Sequence, residues 1–155
     1  MPLSPTTMAT QPAPQQIRKL AIAFTVFAAI GFFDATYLTM KHFFGGIVPC
    51  LTGGCELVTT SEYSIIIGIP VALLGAIYYL SQIILMVAHF ESKSAVPLRL
   101  AAQITVVGLL ASLYLVSLQL FVIHAICDKC MLSALSSTVL FILGLYIQKR
   151  LRPSK

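Results

Sequence analysis

The stretch IIIGIPVALLGAIYYLSQIILMVAHF, residues 65–90, decides the fold. It contains no Asp, Glu, Lys or Arg. An α-helix rises about 1.5 Å per residue, so roughly 20 residues cross a hydrocarbon layer about 30 Å thick. Residues 65–90 exceed one crossing. Pro70 divides them, because proline fixes φ and is favoured in the first turn of a helix. The pattern predicts a membrane helix over about Ile69–Phe90. A short interfacial half-helix is expected just before it, near Glu56–Ser64.

Three further apolar runs lie on either side. Leu20–Met40 follows Arg18 and Lys19 and forms the first predicted span. Leu98–Ile126 and Asp128–Gln148 form the third and fourth, after a connector over Glu91–Pro97. The whole chain is 58% hydrophobic and only 10% charged, with mean hydropathy +0.93 over 155 residues. A soluble domain of that length has too little interior for so much apolar surface. The expected fold is an all-α integral membrane protein, a four-transmembrane-helix bundle with an extracytoplasmic loop and half-helix as its cap. Residues 1–16 are uncharged and rich in Pro, Thr and Gln, and are expected to be a disordered cytoplasmic tail. They lack the basic start of a signal peptide, so the first span is expected to be retained. Residues 17–148 form the membrane domain and 149–155 a basic cytoplasmic tail. There is no internal repeat.

Sidedness follows from the basic residues. Arg18, Lys19, Lys93, Arg99, Lys149, Arg150, Arg152 and Lys155 fall on one side of four alternating spans, against Lys41 and Lys129 on the other. Cytoplasmic loops carry the excess of Lys and Arg, so the first side is cytoplasmic. The net charge of +5 is thus a membrane-orientation signal, and no nucleic-acid partner is implied. Both termini are cytoplasmic in this reading. All four cysteines then lie outside, where disulfides persist.

Those cysteines form two pairs. Cys127-Asp-Lys-Cys130 opens the last span, and residues three apart on a helix share a face. Unpaired backbone N–H groups and the positive end of the helix dipole favour a thiolate there. Lys129 adds to that field and Asp128 opposes it. Cys50-Leu-Thr-Gly-Gly-Cys55 closes a small loop whose glycines permit a tight bridge. A mobile loop pair facing a fixed pair is the arrangement that thiol–disulfide exchange needs. The same residues also fit inert structural disulfides, or a four-cysteine zinc site, since zinc ligand spacings overlap these.

The run Gly53-Gly-Cys-Glu-Leu-Val-Thr-Thr-Ser-Glu-Tyr-Ser-Ile-Ile-Ile-Gly-Ile-Pro-Val-Ala-Leu-Leu-Gly75 closely resembles the loop and second helix of bacterial members of the vitamin K epoxide reductase family. Cys127–Cys130 followed by Met-Leu-Ser-Ala is also similar, as is Tyr37-Leu-Thr-Met. The likeness covers about residues 17–148. The disulfide bond formation B family, an analogous quinone-linked oxidase, carries its C-x-x-C in the first outer loop instead. The resemblance implies a monomeric four-helix bundle around a quinone (ubiquinone, menaquinone or a relative) in a bacterial inner membrane. It implies a relay in which a separate periplasmic thioredoxin-like partner is reoxidised at Cys50, Cys55 exchanges with Cys127, and Cys130 reduces the membrane quinone pool. Reduced Cys130 is then expected to hold thiolate character toward the ring. Ser61 matches a loop serine thought to assist the redox centre; a helix N-cap is the alternative. Val71 and Ala134 fall where animal members have an Asn and a Tyr. Neither can hydrogen-bond a quinone carbonyl through its side chain, which argues against vitamin K epoxide as the substrate.

Several other residues enter the reading. Asp34 lies at membrane depth, where an acid costs a few kcal/mol on insertion scales. It serves either as a proton relay or as a hydrogen-bonded carboxyl near Tyr37. His124 is a candidate proton exchanger or a solvated interfacial histidine. Gln103, Gln119, Ser112 and Ser117 read as interhelical glue. Phe43, Phe44, Phe121, Met131 and Leu135 are candidates for the quinone lining, or simply lipid-facing. The function expected is a membrane thiol oxidase linking dithiols to a quinone, with no metal at its site. The rivals are a four-thiol metal-binding or metal-transport protein and a structural subunit stapled by two disulfides.

Overall fold

The computed structural model describes residues 14–151. The expected disorder over 1–13 and the end of the basic tail, 152–155, lie outside the described residues. Four long helices dominate: α1 (Pro14–Phe44), α3 (Val71–Ser92), α4 (Ala95–Leu118) and α5 (Asp128–Leu151). Each is long and apolar enough to cross a membrane, which makes the chain a multi-pass membrane protein. Helix α1 begins at Pro14, so Pro14–Gln16 are helical rather than part of a disordered tail. Proline is tolerated there because a first-turn N–H has no intrahelical partner.

The helices pack in chain order around a ring. Helix α1 lies against α3, α3 against α4, α4 against α5, and α5 returns to α1. Their buried contacts use small residues, among them Ala21 and Ala28 of α1, Ala76 of α3, and Ala101 and Ala102 of α4. Lipid tails are as apolar as leucine, so close backbone approach replaces the hydrophobic drive between helices. At Gly31 the Tyr79 ring occupies the space a Cβ would need. Larger apolar residues such as Ile22, Val26 and Phe33 point outward, where lipid is expected. The tightest core, with Phe24, Met86, Leu98, Leu140 and Ile147 all buried, sits at one end of the ring. Among the buried polar atoms, Tyr78 Oη, both polar atoms of Gln82 and Ser137 Oγ have no hydrogen-bond partner.

At the other end, the α1–α3 connection forms the cap. The expected half-helix is broken into α2 (Cys55–Thr59) and one 3-10 turn, Glu62–Ser64. A minimal hairpin follows, β1 (Ile65–Ile66) with β2 (Ile69–Pro70), paired Ile65 to Pro70 and Ile66 to Ile69. Ile67 and Gly68, both at positive φ, make its turn, as the twist of a two-residue hairpin requires. Pro70 ends the hairpin and immediately precedes α3, so Ile69 and Pro70 are strand rather than helix.

Two other boundaries differ from the sequence expectation. The connector shrinks to Lys93 and Ser94: Lys93 is left-handed at φ 52°, and the Ser94 side chain accepts from Val96 N at 3.3 Å. Pro97 therefore sits in the first turn of α4, where its missing N–H does no harm. Helix α4 also stops short of Ile126. It widens into a π-helical turn over Gln119–Ile123 and ends on left-handed His124 (φ 54°).

Candidate redox site

The cap and the start of α5 bring the two cysteine pairs into one apolar cluster. Leu38, Val48, Cys55 and Cys127 form its buried centre, with Tyr37, Cys50, Val58, Ala72 and Cys130 packed around it. Cys50 and Cys55 are joined by a disulfide, whereas Cys127 and Cys130 are free thiols. Cys55 and Cys127 are both sealed from solvent. Cys50 is half-exposed, beside a fully exposed Leu51.

Specific bonds hold the loop pair over the C-x-x-C. Asp128 accepts from Leu51 N at 2.5 Å and from Thr52 Oγ1 at 2.8 Å. Thr52 Oγ1 is also 2.7 Å from the Ile126 carbonyl, its second acceptor. Gly54 is pressed onto the Ile126 backbone, where a side chain would collide. The glycine pair 53–54 thus serves close approach as well as the tight loop. Asp128, read as merely opposing Lys129, is the latch of the cap.

The helix start acts on Cys127. Its Sγ lies 3.3 Å from Cys130 N, which donates to it. The Cys130 side chain hydrogen-bonds to the same sulfur and, against the effect of burial, holds the Cys127 thiol below its usual range. Both bonds favour thiolate character on Cys127. Gln119 braces this corner from α4, its Oε1 accepting from Cys127 N at 3.0 Å. A lone polar residue in an apolar run is the only sign of that bond in the sequence.

A cavity of about 140 Å³ opens beside Cys130, ringed by the outer ends of all four long helices. Its wall is mostly apolar, as a hydrophobic ring requires. Val71, Ala134 and Ser61 line it, as does Cys130. Met131 and Leu135 do not: each follows a lining residue by one position, which turns it about 100° away, and both are exposed on the outer face. Phe121, Phe43 and Phe44 also point outward. Ser133 and His42, which the sequence reading did not single out for the lining, face the cavity. Ser133 is held by Tyr79, whose Oη donates to its carbonyl at 2.6 Å. The size and apolar character of the cavity, with a thiol in its wall, fit a quinone ring.

The remaining candidates are placed as follows. Ser61 occupies the N-cap position of the 3-10 turn without capping through its side chain; its hydroxyl donates to Val58 O at 2.7 Å. Asp34 is buried, its Oδ2 unpartnered. It lies within electrostatic reach of Lys129 and of both free thiols. Lys41 and Lys129 each approach the Tyr37 ring, at 5.8 and 5.9 Å from its centroid, a cation–π arrangement. His124 is exposed at the helix break. Among the described residues, one group has metal-ligand spacing: Cys50, Cys55 and Asp128, within 4.8 Å. Its two sulfurs are bonded to each other, and the C-x-x-C is not part of it.

A model of the Vitamin K epoxide reductase family matches residues 22–145. That match spans α1 from its third turn to near the end of α5 and includes all four cysteines. A search of curated proteins returns no match to the chain.

Proposed function

Since the chain belongs to the vitamin K epoxide reductase family, a family of membrane thiol–disulfide oxidoreductases, we propose that it is a quinone-dependent thiol oxidase that makes disulfides for an extracytoplasmic partner. The observation that carries this reading is the bridged Cys50–Cys55 packed in one buried cluster with the free Cys127 and Cys130, beside an apolar cavity. One pair is oxidised and the other reduced, as just after an internal exchange.

The cycle is written from these residues. A thioredoxin-like partner dithiol attacks the disulfide at half-exposed Cys50 and leaves as a disulfide, with Cys50 and Cys55 reduced. The Cys55 thiolate attacks Cys127 in a Cys127–Cys130 disulfide, releasing Cys130. Cys50 then attacks Cys55, which frees Cys127 and restores the arrangement observed here. Exchange of this kind passes through mixed disulfides and is fastest for an accessible thiolate. Cys127 and Cys130 next lose two electrons and two protons and bond to each other.

A bound quinone supplies the two-electron acceptor and ends as quinol. Cys130, Val71, Ala134 and Ser133 would hold it. Asp34 takes up the proton released as Cys127 ionises, with Lys129 beside it to balance the charge. Latching by Asp128 keeps Cys55 against Cys127 so that exchange is effectively intramolecular. The protein would act as a monomer in a bacterial inner membrane, with both termini cytoplasmic and the cysteines outside. Residues 17–148 would make up its redox domain.

The test is anaerobic mixing of purified protein with a reduced thioredoxin-like oxidant and short-chain ubiquinone or menaquinone analogues. Quinone loss coupled to partner oxidation is expected in wild type and not in Cys130→Ser. Folded wild-type protein that turns over no quinone would defeat the proposal.

A further inference from the structure

Gln119 is the one polar residue of the cavity wall that is almost fully buried, at 3% exposure. Its orientation is fixed. A side-chain amide nitrogen cannot accept a hydrogen bond, so the 3.0 Å bond from Cys127 N identifies Oε1 as the end turned toward the cysteine. Nε2 is then the other end. It makes no hydrogen bond to any described residue, and it is not among the sealed, partnerless polar atoms. The side chain therefore retains two unspent N–H donors on a residue that lines the cavity.

Three of the other hydroxyls of the wall are spent locally. Thr59, Ser61 and Ser64 each donate to a backbone carbonyl within the cap. Ser112, half-buried two turns before Gln119 on the same helix, is a competing donor, as are Tyr63 of the cap and His42 of α1. The π-helical turn that starts at Gln119 displaces the following residues, and the Gln119 carbonyl accepts from Ala125 N at 3.2 Å. Main chain and side chain of this residue thus both grip the segment that leads into the C-x-x-C. Val71 and Ala134 offer no donor of their own.

We propose that Gln119 recognises a quinone carbonyl through Nε2 while its Oε1 fixes Cys127, so that one amide ties the bound acceptor to the dithiol that reduces it. The assignment rests on the quinone-oxidase reading above. A buried donor left without a partner costs free energy, and a carbonyl oxygen is the acceptor that an apolar ring can bring. A ligand with no acceptor at that position is disfavoured by the same cost. Gln119 is a specificity residue for the acceptor and a positioning residue for Cys127.

The test uses the full chain in lipid nanodiscs with a ¹³C-carbonyl-labelled short-chain quinone. In wild type, infrared difference spectra should show one carbonyl band shifted down from its position in empty nanodiscs, and selective ¹⁵N-glutamine labelling should show one side-chain amide moving on binding. In Gln119→Met the shifted band should return to the free position, and quinone KM should rise about tenfold, the loss of one hydrogen bond in a dry site. Ser112→Ala should keep the shifted band. An unshifted carbonyl in wild-type protein that binds and turns over quinone overturns the inference without any variant. So does a shift lost in Ser112→Ala and kept in Gln119→Met. No quinone binding or turnover in folded wild type would instead defeat the quinone reading itself.

Discussion

Cys127 is buried, yet its thiol is pulled below the ordinary range by the Cys130 side chain and by helix-start N–H groups. A lowered pKa means the thiolate is present above that value and is lost as pH falls through it. Attack by Cys127 should therefore rise with pH, with its midpoint below that of an ordinary thiol. Thiolate absorbance in a Cys50→Ser, Cys55→Ser background reads the midpoint. Cys130→Ala removes the largest cause and should move it upward; an unchanged midpoint would refute the account. Asp128→Ala should free Leu51 and Thr52 and make Cys50–Cys55 several-fold faster to reduce by dithiothreitol. The four cysteines were legible as chemistry because spacing and sidedness are sequence properties. Asp128 as a latch and Gln119 as a brace were not, since each bonds a partner brought near only by folding.

At the scale of elements, glycine and buried amide positions carry the clearest expectations. Gly31→Ala should drive the Tyr79 ring from α1 and loosen its hold on Ser133. Overpacking of this kind costs about 1–3 kcal/mol, to be read as a lower melting temperature in detergent. Gln82→Leu should be milder. Gln82 is fully buried and makes no well-aligned hydrogen bond, with the sealed Tyr78 hydroxyl beside it, so an apolar replacement should be close to neutral, within about 1 kcal/mol. The long helices were readable because length and hydropathy decide them, whatever their neighbours. Their ends were less so. The run Leu120–Ile126 is as apolar as the helix before it, and only the Gln119–Cys127 bond says why the helix stops. The hairpin at Ile65–Pro70 hid inside an isoleucine-rich run, where Gly68 and Pro70 read as part of the approach to a helix rather than as a turn.

For the whole molecule, the eight basic residues on one side against two on the other set a topology that labelling can check. A membrane-impermeant maleimide added outside intact cells should reach Cys50 after mild reduction; modification from the cytoplasmic side alone would reverse the orientation. The ring order has a consequence for biosynthesis. Each helix meets its predecessor as it emerges, and only α5, made last, closes the circle against α1. The C-x-x-C enters the membrane with that final helix. A nascent chain halted before α5 carries Cys50 and Cys55 with no internal thiol to trade electrons with, so exchange between the two pairs is withheld until synthesis has supplied the fourth helix.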